Sequence, residues 1–296
     1  MNTFAKTNLI DLLRTSAGNV ALAAAANVSA KEIVSAVKYY MGKPDGRYFT
    51  SKDFPEEVVN AKKCYVTLNT IIGGDTAEYD RFSEGKKQVP ELITPIGVKK
   101  CLNLFVHLYA FGVGNKGRVD YETVRACRQT EILEGISYVG PLTSTTKLTI
   151  AEIMQLGYGN KNGLAICKYH FLDNSVIFDM ENLGKHYLKP EEREVLLLTG
   201  NKLEAVCLGT DNRFLGKDGK PALMYEVTVS PAPLQEVAES PEELKEVVFN
   251  GDLVREVQEF YYELNASSDF PSVPENYRTW KNSFKKLLVC ELRKFS

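Results

Sequence analysis

Tyr187-Leu-Lys-Pro-Glu-Glu-Arg-Glu-Val-Leu-Leu-Leu-Thr-Gly200 carries a charged loop directly into an apolar run. Val195 to Leu198 is continuously apolar and is closed by Thr199-Gly200, which predicts a short strand buried on both faces. Pro190 biases the residue before it away from helix and marks a loop-to-strand junction. If strand geometry begins at the acidic residues, Glu192 and Glu194 project to one side and Arg193 to the other. Neighbouring carboxylates repel unless solvent or a cation separates their tasks, so the pair is either a wet strand end or a catalytic pair. Acidic residues beside strands are commonplace, and spacing alone does not choose between the two.

Working outward, the region from about 118 to 230 has the texture of short strands separated by turns. Thr123 to Ile132 predicts a strand, Tyr138-Val139 starts another before Gly140-Pro141, and Thr149 to Gly157 reads as a short helix with a threonine cap. Strands follow at Leu164 to Phe171, Ser175 to Asp179, Glu194 to Leu198, Leu203 to Leu208 and Leu223 to Ser230. Many short strands with one or two helices predict an α+β protein built on a β-sandwich core. The flanks have helical spacing. Leu9, Leu12 and Leu13 share one face, Val34, Val37 and Tyr40 follow a Ser29 cap, and Glu56 to Ile72 continues the pattern. Pro95 opens the clearest helix, with Leu102, Phe105, Val106 and Tyr109 as its apolar stripe and Gly112 to Gly117 as its end. Beyond Pro231-Ala-Pro233, Ser240-Pro-Glu-Glu243 is a helix opening, and Asp252 to Leu264 and Asn276 to Cys290 carry apolar faces. The expected organisation is a helical region over 1–115, a strand-rich core over 116–232 and a helical extension over 233–296.

A chain of 296 residues with 44% hydrophobic and 25% charged side chains is an ordinary globular one, and a net charge of -2 argues against a nucleic-acid surface or a polybasic membrane anchor. No apolar run is long enough to span a bilayer. The six cysteines are scattered without a CxxC pair, and none of the three histidines stands in metal-ligand spacing, so free thiols and no metal are expected. Val20 to Val28, followed by Ser29-Ala30, imitates a leader peptide. It is rich in alanine and flanked by Asp11 and Glu32, and it reads instead as a helix or small-residue turn. The expectation is a soluble protein without a cleaved signal.

Three stretches of the core carry a resemblance. They are Arg125 within Val124-Arg-Ala-Cys-Arg-Gln129, then Leu142-Thr-Ser-Thr-Thr146, then Glu192-Arg-Glu194 running into Val195. In this order they resemble the mono-ADP-ribosyltransferase toxins of the Arg-Ser-Glu type, which show an arginine on a strand, a Ser-Thr-Ser/Thr strand and a Glu-x-Glu strand start. The likeness spans roughly Val119 to Ser230. It implies an ADP-ribosyltransferase-like fold and an NAD-dependent enzyme that modifies a protein, with arginine as the acceptor because of the Glu-x-Glu form. A toxin or effector, exported to or injected into a host cell, fits that reading. The helical flanks would then serve target recognition, or an activating or chaperone partner.

The resemblance also implies roles. Cleavage of the nicotinamide–ribose bond of NAD builds positive charge on the sugar, which a carboxylate, Glu194, would stabilise, with Ser144 holding it, and Ser144, Thr145 and Glu194 would all line the cofactor. An arginine suits the diphosphate because its planar fork makes paired, charge-assisted hydrogen bonds. Arg125 and Arg128 lie three apart on the candidate strand, so they face opposite sides and one of them serves. Arg125, set between Val124 and Ala126, is favoured, with Arg128 as the alternative. Glu192 would pair with the incoming guanidinium and assist its deprotonation. Tyr187 either stacks on the target side chain or is an exposed loop residue without such a duty. Two other readings stay open: an NAD glycohydrolase in which water takes the ribosyl group, and a non-enzymatic interaction module whose acids are merely solvated.

Overall fold

The structure, a computed structural model, describes residues 95–114, 119–139, 142–181, 187, 189–266 and 274–296. The helices expected before residue 95 and the Val20 to Val28 segment lie outside these residues. Two compact units divide the chain: of the described residues, 111–234 fall in one, and 95–110 with 235–296 in the other. Most of the described residues of the two expected helical flanks, 95–110 and 235–296, therefore belong to one unit.

The first unit is built on eight strands: β1 (Thr123–Arg128), β2 (Gly135–Tyr138), β3 (Leu142–Thr146), β4 (Leu164–Phe171), β5 (Ile177–Asp179), β6 (Glu194–Leu198), β7 (Asn201–Leu215) and β8 (Pro221–Pro231). They form one hydrogen-bonded sheet in the order β2-β7-β8-β4-β1-β3-β6-β5, antiparallel except for the β4–β8 pair. The described residues thus form a mixed α and β fold on an eight-stranded, mostly antiparallel sheet, in keeping with the expected α+β class. That sheet is unevenly joined. β1 follows β4 from Thr123 through Arg128, and β3 follows β6 from Leu142 through Thr146, but β1 and β3 meet only at Val124 and Thr146.

Side-chain alternation sorts the two faces. One face carries Cys127, Ala165, Cys167, Tyr169, Val227 and Val229 together with Leu197 from across the β1–β3 seam, so a shared apolar core spans the weak junction. The other carries Val124 and Ala126 against Leu164 and Ile166. Ile150 and Met154 pack on this second face, contributed by a helix, α2 (Ile150–Gln155), that follows a longer one, α1 (Pro95–Gly114). β1 stops at Arg128 and does not run on to Ile132: the Gln129 N–H still donates to the Gly163 carbonyl at 2.6 Å in register with the β1–β4 ladder, and the chain then turns into a 3-10 segment at Gln129–Glu131.

Two devices fix β5 and β6. Asn201 is buried, accepts from the Val176 N–H at 2.8 Å, and donates to the carbonyls of Val176 and Leu198 at 2.6 and 2.8 Å. It thereby satisfies backbone groups that would otherwise be desolvated without partners. α1 ends at Gly114, within the glycine-rich turn expected to close it, and at Gly112 an added Cβ would lie 2.9 Å from the Ile177 carbonyl, so only glycine permits the approach.

The second unit contains α3 (Pro241–Val248), α4 (Gly251–Ala266) and α5 (Glu275–Leu292). Ser240 caps α3 with Glu243 in a reciprocal capping box, as the sequence implied. Tyr277, Trp280, Phe284, Leu287 and Leu288 form the buried stripe of α5, and the Trp280 indole N–H donates to the Val248 carbonyl at 3.1 Å. Among the described residues, no helix is long and apolar enough to cross a membrane.

Candidate active site

Pro190–Glu192 forms a single 3-10 turn, Arg193 adopts a left-handed conformation (φ 45°, ψ 45°), and extended geometry begins only at Glu194. Glu192 and Glu194 are therefore not successive same-face residues of one strand, as strand spacing had suggested. The proline drives this: its fixed φ starts the turn, and the left-handed residue reverses the chain before the ladder with β3 takes over. β3 holds the turn from the side, since the Thr146 hydroxyl donates to the Glu192 carbonyl and the Lys147 N–H to the Arg193 carbonyl at 3.0 Å.

The register of β3 against β6 pairs Thr146 with Glu194 and Ser144 with Leu196, which puts Ser144 and Glu194 on the same face. Across this step the Ser144 hydroxyl donates to Oε1 of Glu194. The two residues are 50 apart in sequence and the sheet brings them into contact. Thr145, expected beside the cofactor, points the other way, is buried, and spends its hydroxyl on the Val195 carbonyl at 3.0 Å.

Tyr187 is neither exposed nor available for stacking. It is 6% exposed, and its hydroxyl accepts the Glu194 N–H at 2.8 Å, making it a strut beneath the acid. Burial, helped by Glu194, Glu192 and Glu191, pushes its pKa well up, so the phenol stays protonated. Glu192 is held by two side chains: Oε1 accepts from the Tyr158 hydroxyl at 2.9 Å and from the Lys189 ammonium.

The two arginines separate as their spacing requires. Val124 pairs with Thr146, so Val124, Ala126 and Arg128 share the face of Ser144 and Glu194, while Thr123, Arg125 and Cys127 share the opposite one. Arg125, the favoured candidate, is therefore displaced from the site, and its guanidinium donates to Glu131 at 2.7 Å. Burial opposes ionisation of Glu131, but Arg125 and Lys161 outweigh it and hold the carboxyl below its usual range. A depressed carboxyl pKa contributes stability that is present above the unfolded value and lost as pH falls through the folded one. Unfolding midpoints measured on acidification should accordingly show a loss below the ordinary glutamate range. Glu131→Gln is expected to flatten that part of the profile, and an unchanged profile would refute the assignment.

A second ionic group pins the end of β5 to the turn. Lys147 reaches Asp179 at 2.8 Å and Glu181 at 2.6 Å, and Arg193 reaches Glu181 at 3.6 Å. A cleft of about 490 Å³ is lined by Lys168, Asp211 and Arg213 among others and not by Glu194, and within it Arg213 and Asp211 are bonded to each other. No group of three or more metal-ligating side chains occurs among the described residues. Tyr158 and Lys189 are the site residues that sequence reasoning missed. Lys189 stands three before Glu192, a spacing that would have suggested contact had Pro190-Glu-Glu192 been read as a helical turn. Tyr158 carries no local signal. No known family model matches the chain, and no curated protein matches it.

Proposed function

We propose that this chain is an NAD-dependent mono-ADP-ribosyltransferase that modifies a protein on arginine, in the manner of a toxin or effector. The reading is carried by the bond from Ser144 to Glu194, a carboxylate fixed at a strand start by a hydroxyl from the neighbouring strand and by Tyr187 below. Arg128, on the same face, takes the diphosphate role in place of Arg125. The seam between β1 and β3, where the ladder is reduced to Val124 and Thr146, separates the strand bearing Arg128 from those bearing Ser144 and Glu194. It offers the place for an elongated dinucleotide.

In this reading the bond between ribose C1 and nicotinamide breaks, and nicotinamide leaves with the bonding pair. Glu194 stabilises the positive charge that develops on the sugar, and a charge placed in advance needs no rearrangement as the reaction proceeds. Ser144 and Tyr187 hold Glu194, one through its carboxylate and one through its backbone N–H. Glu192 receives the proton that an acceptor guanidinium loses as its nitrogen bonds to C1. The chain's own residues thus divide the work: Arg128 binds, Glu194 stabilises, and Glu192 serves the acceptor. Incubation of the purified chain and a cell lysate with NAD labelled in the adenylate separates the alternatives. Label on protein supports transfer, label only in free ADP-ribose supports a glycohydrolase, and no nicotinamide release sinks both.

A further inference from the structure

The two acids of the candidate site are fixed by different means. Glu194 is placed by the sheet, through its ladder position opposite Thr146, whereas Glu192 lies outside the ladder on a one-turn helix followed by a left-handed residue. Its carboxylate has to be aimed by side chains. The short helix α2 supplies one. Thr149 starts it with a reciprocal capping box to Glu152, Gly157 ends it in a left-handed conformation (φ 77°), and the Tyr158 N–H returns to the Ile153 carbonyl at 3.1 Å. This fixed exit delivers the Tyr158 hydroxyl to Oε1 of Glu192 at 2.9 Å. Lys189 supplies the other from the entry of the turn, on the same oxygen. Glu192 is thus clamped through one carboxylate oxygen, Oε1.

We infer that Tyr158 and Lys189 are positioning residues that set the acceptor specificity of the site, steering the ribosyl group to a guanidinium and away from water. The inference rests on the transferase reading above and concerns only the acceptor half of the reaction. With a guanidine acceptor its nitrogen bonds to ribose C1 and its proton passes to Glu192, with water the oxygen bonds to C1 and the proton goes to solvent, and in both cases nicotinamide leaves with the bonding pair. Tyr158 and Lys189 therefore bear on the partition between the two products, while bond cleavage at the donor depends on Glu194 and Arg128.

The test uses the full chain, NAD as donor and agmatine as a small guanidine acceptor, with ADP-ribosyl-agmatine and free ADP-ribose measured separately. Tyr158→Phe removes one hydroxyl from a side chain that is 42% exposed, so the fold is retained. Loss of a hydrogen bond to a charged group is worth about tenfold or more in such a partition. The variant is expected to lower agmatine transfer by about tenfold. The KM for NAD and the rate of hydrolysis without agmatine should stay within about twofold. Lys189→Gln should shift the product ratio in the same direction. A product ratio unchanged in both variants, or transfer and hydrolysis falling together, overturns the inference while leaving the transferase reading in place. A wild-type chain that releases no nicotinamide overturns both.

Discussion

Glu194→Gln is expected to reduce nicotinamide release by about a hundredfold or more, the loss typical when a group placed in advance for developing charge is removed. The substitution keeps the volume of the side chain and leaves an amide oxygen for the Ser144 hydroxyl. The Glu194 N–H still reaches Tyr187, so the strand start is retained. What disappears is the negative charge that the transferase reading sets beside the ribose. The melting temperature should therefore remain close to that of the parent chain while turnover collapses, and the two measurements together separate a chemical role from a structural one. Near-normal turnover in this variant would remove the transferase assignment. A collapse of both turnover and fold would show the carboxylate to be a structural anchor.

The second large effect concerns the arginines, which the sheet register assigns to different faces. Arg128→Ala is expected to weaken NAD binding by about tenfold to a hundredfold, as loss of charge-assisted bonds to a phosphate implies. Arg125→Ala should leave NAD binding intact and cost stability instead. It strands Glu131, whose carboxylate is held in its ionised form by Arg125 and Lys161, in a half-buried setting. The cost should be about 1–3 kcal/mol of stability, between the values for exposed and fully buried ion pairs. The folded fraction should bind NAD normally. Titration of each variant with NAD alongside thermal unfolding reads both quantities, and an inverted pattern would return the diphosphate role to Arg125.

Much of this architecture could be read from local signals. The boundaries of β4 and β6 were legible because Leu164 to Phe171 and Glu194 to Leu198 are apolar runs closed by turn residues. The caps at Thr149 and Ser240 carry their own chemistry and mark helix starts directly. The pairing of Ser144 with Glu194 was anticipated only through motif order, since nothing local to either residue encodes a partner 50 positions away. Failures came where a long-range contact overrode local pattern. The run from Thr123 looked extended to Ile132, yet the chain turns into a 3-10 segment at Gln129 to Glu131 and the strand ends there. Glu192 and Glu194 looked like same-face neighbours, and the one-turn helix at Pro190 broke that alternation. Tyr187 looked like an exposed loop residue because burial depends on what packs over it, which its own neighbours in sequence do not reveal. The choice between Arg125 and Arg128 was a choice of strand face, and only the pairing of Val124 with Thr146 sets that parity.

That same pairing bears on how stiff the sheet is. Bending a sheet across a well-laddered junction breaks a row of backbone bonds together, whereas at this junction almost none stand in the way. On the reverse side Cys127, Cys167 and Leu197 share an apolar layer that spans the same line. Compliance is thereby concentrated along one line, between the strand that ends in Arg128 and the strand that carries Ser144. A long, thin guest could enter there by prising the halves apart, with the rest of the scaffold left rigid.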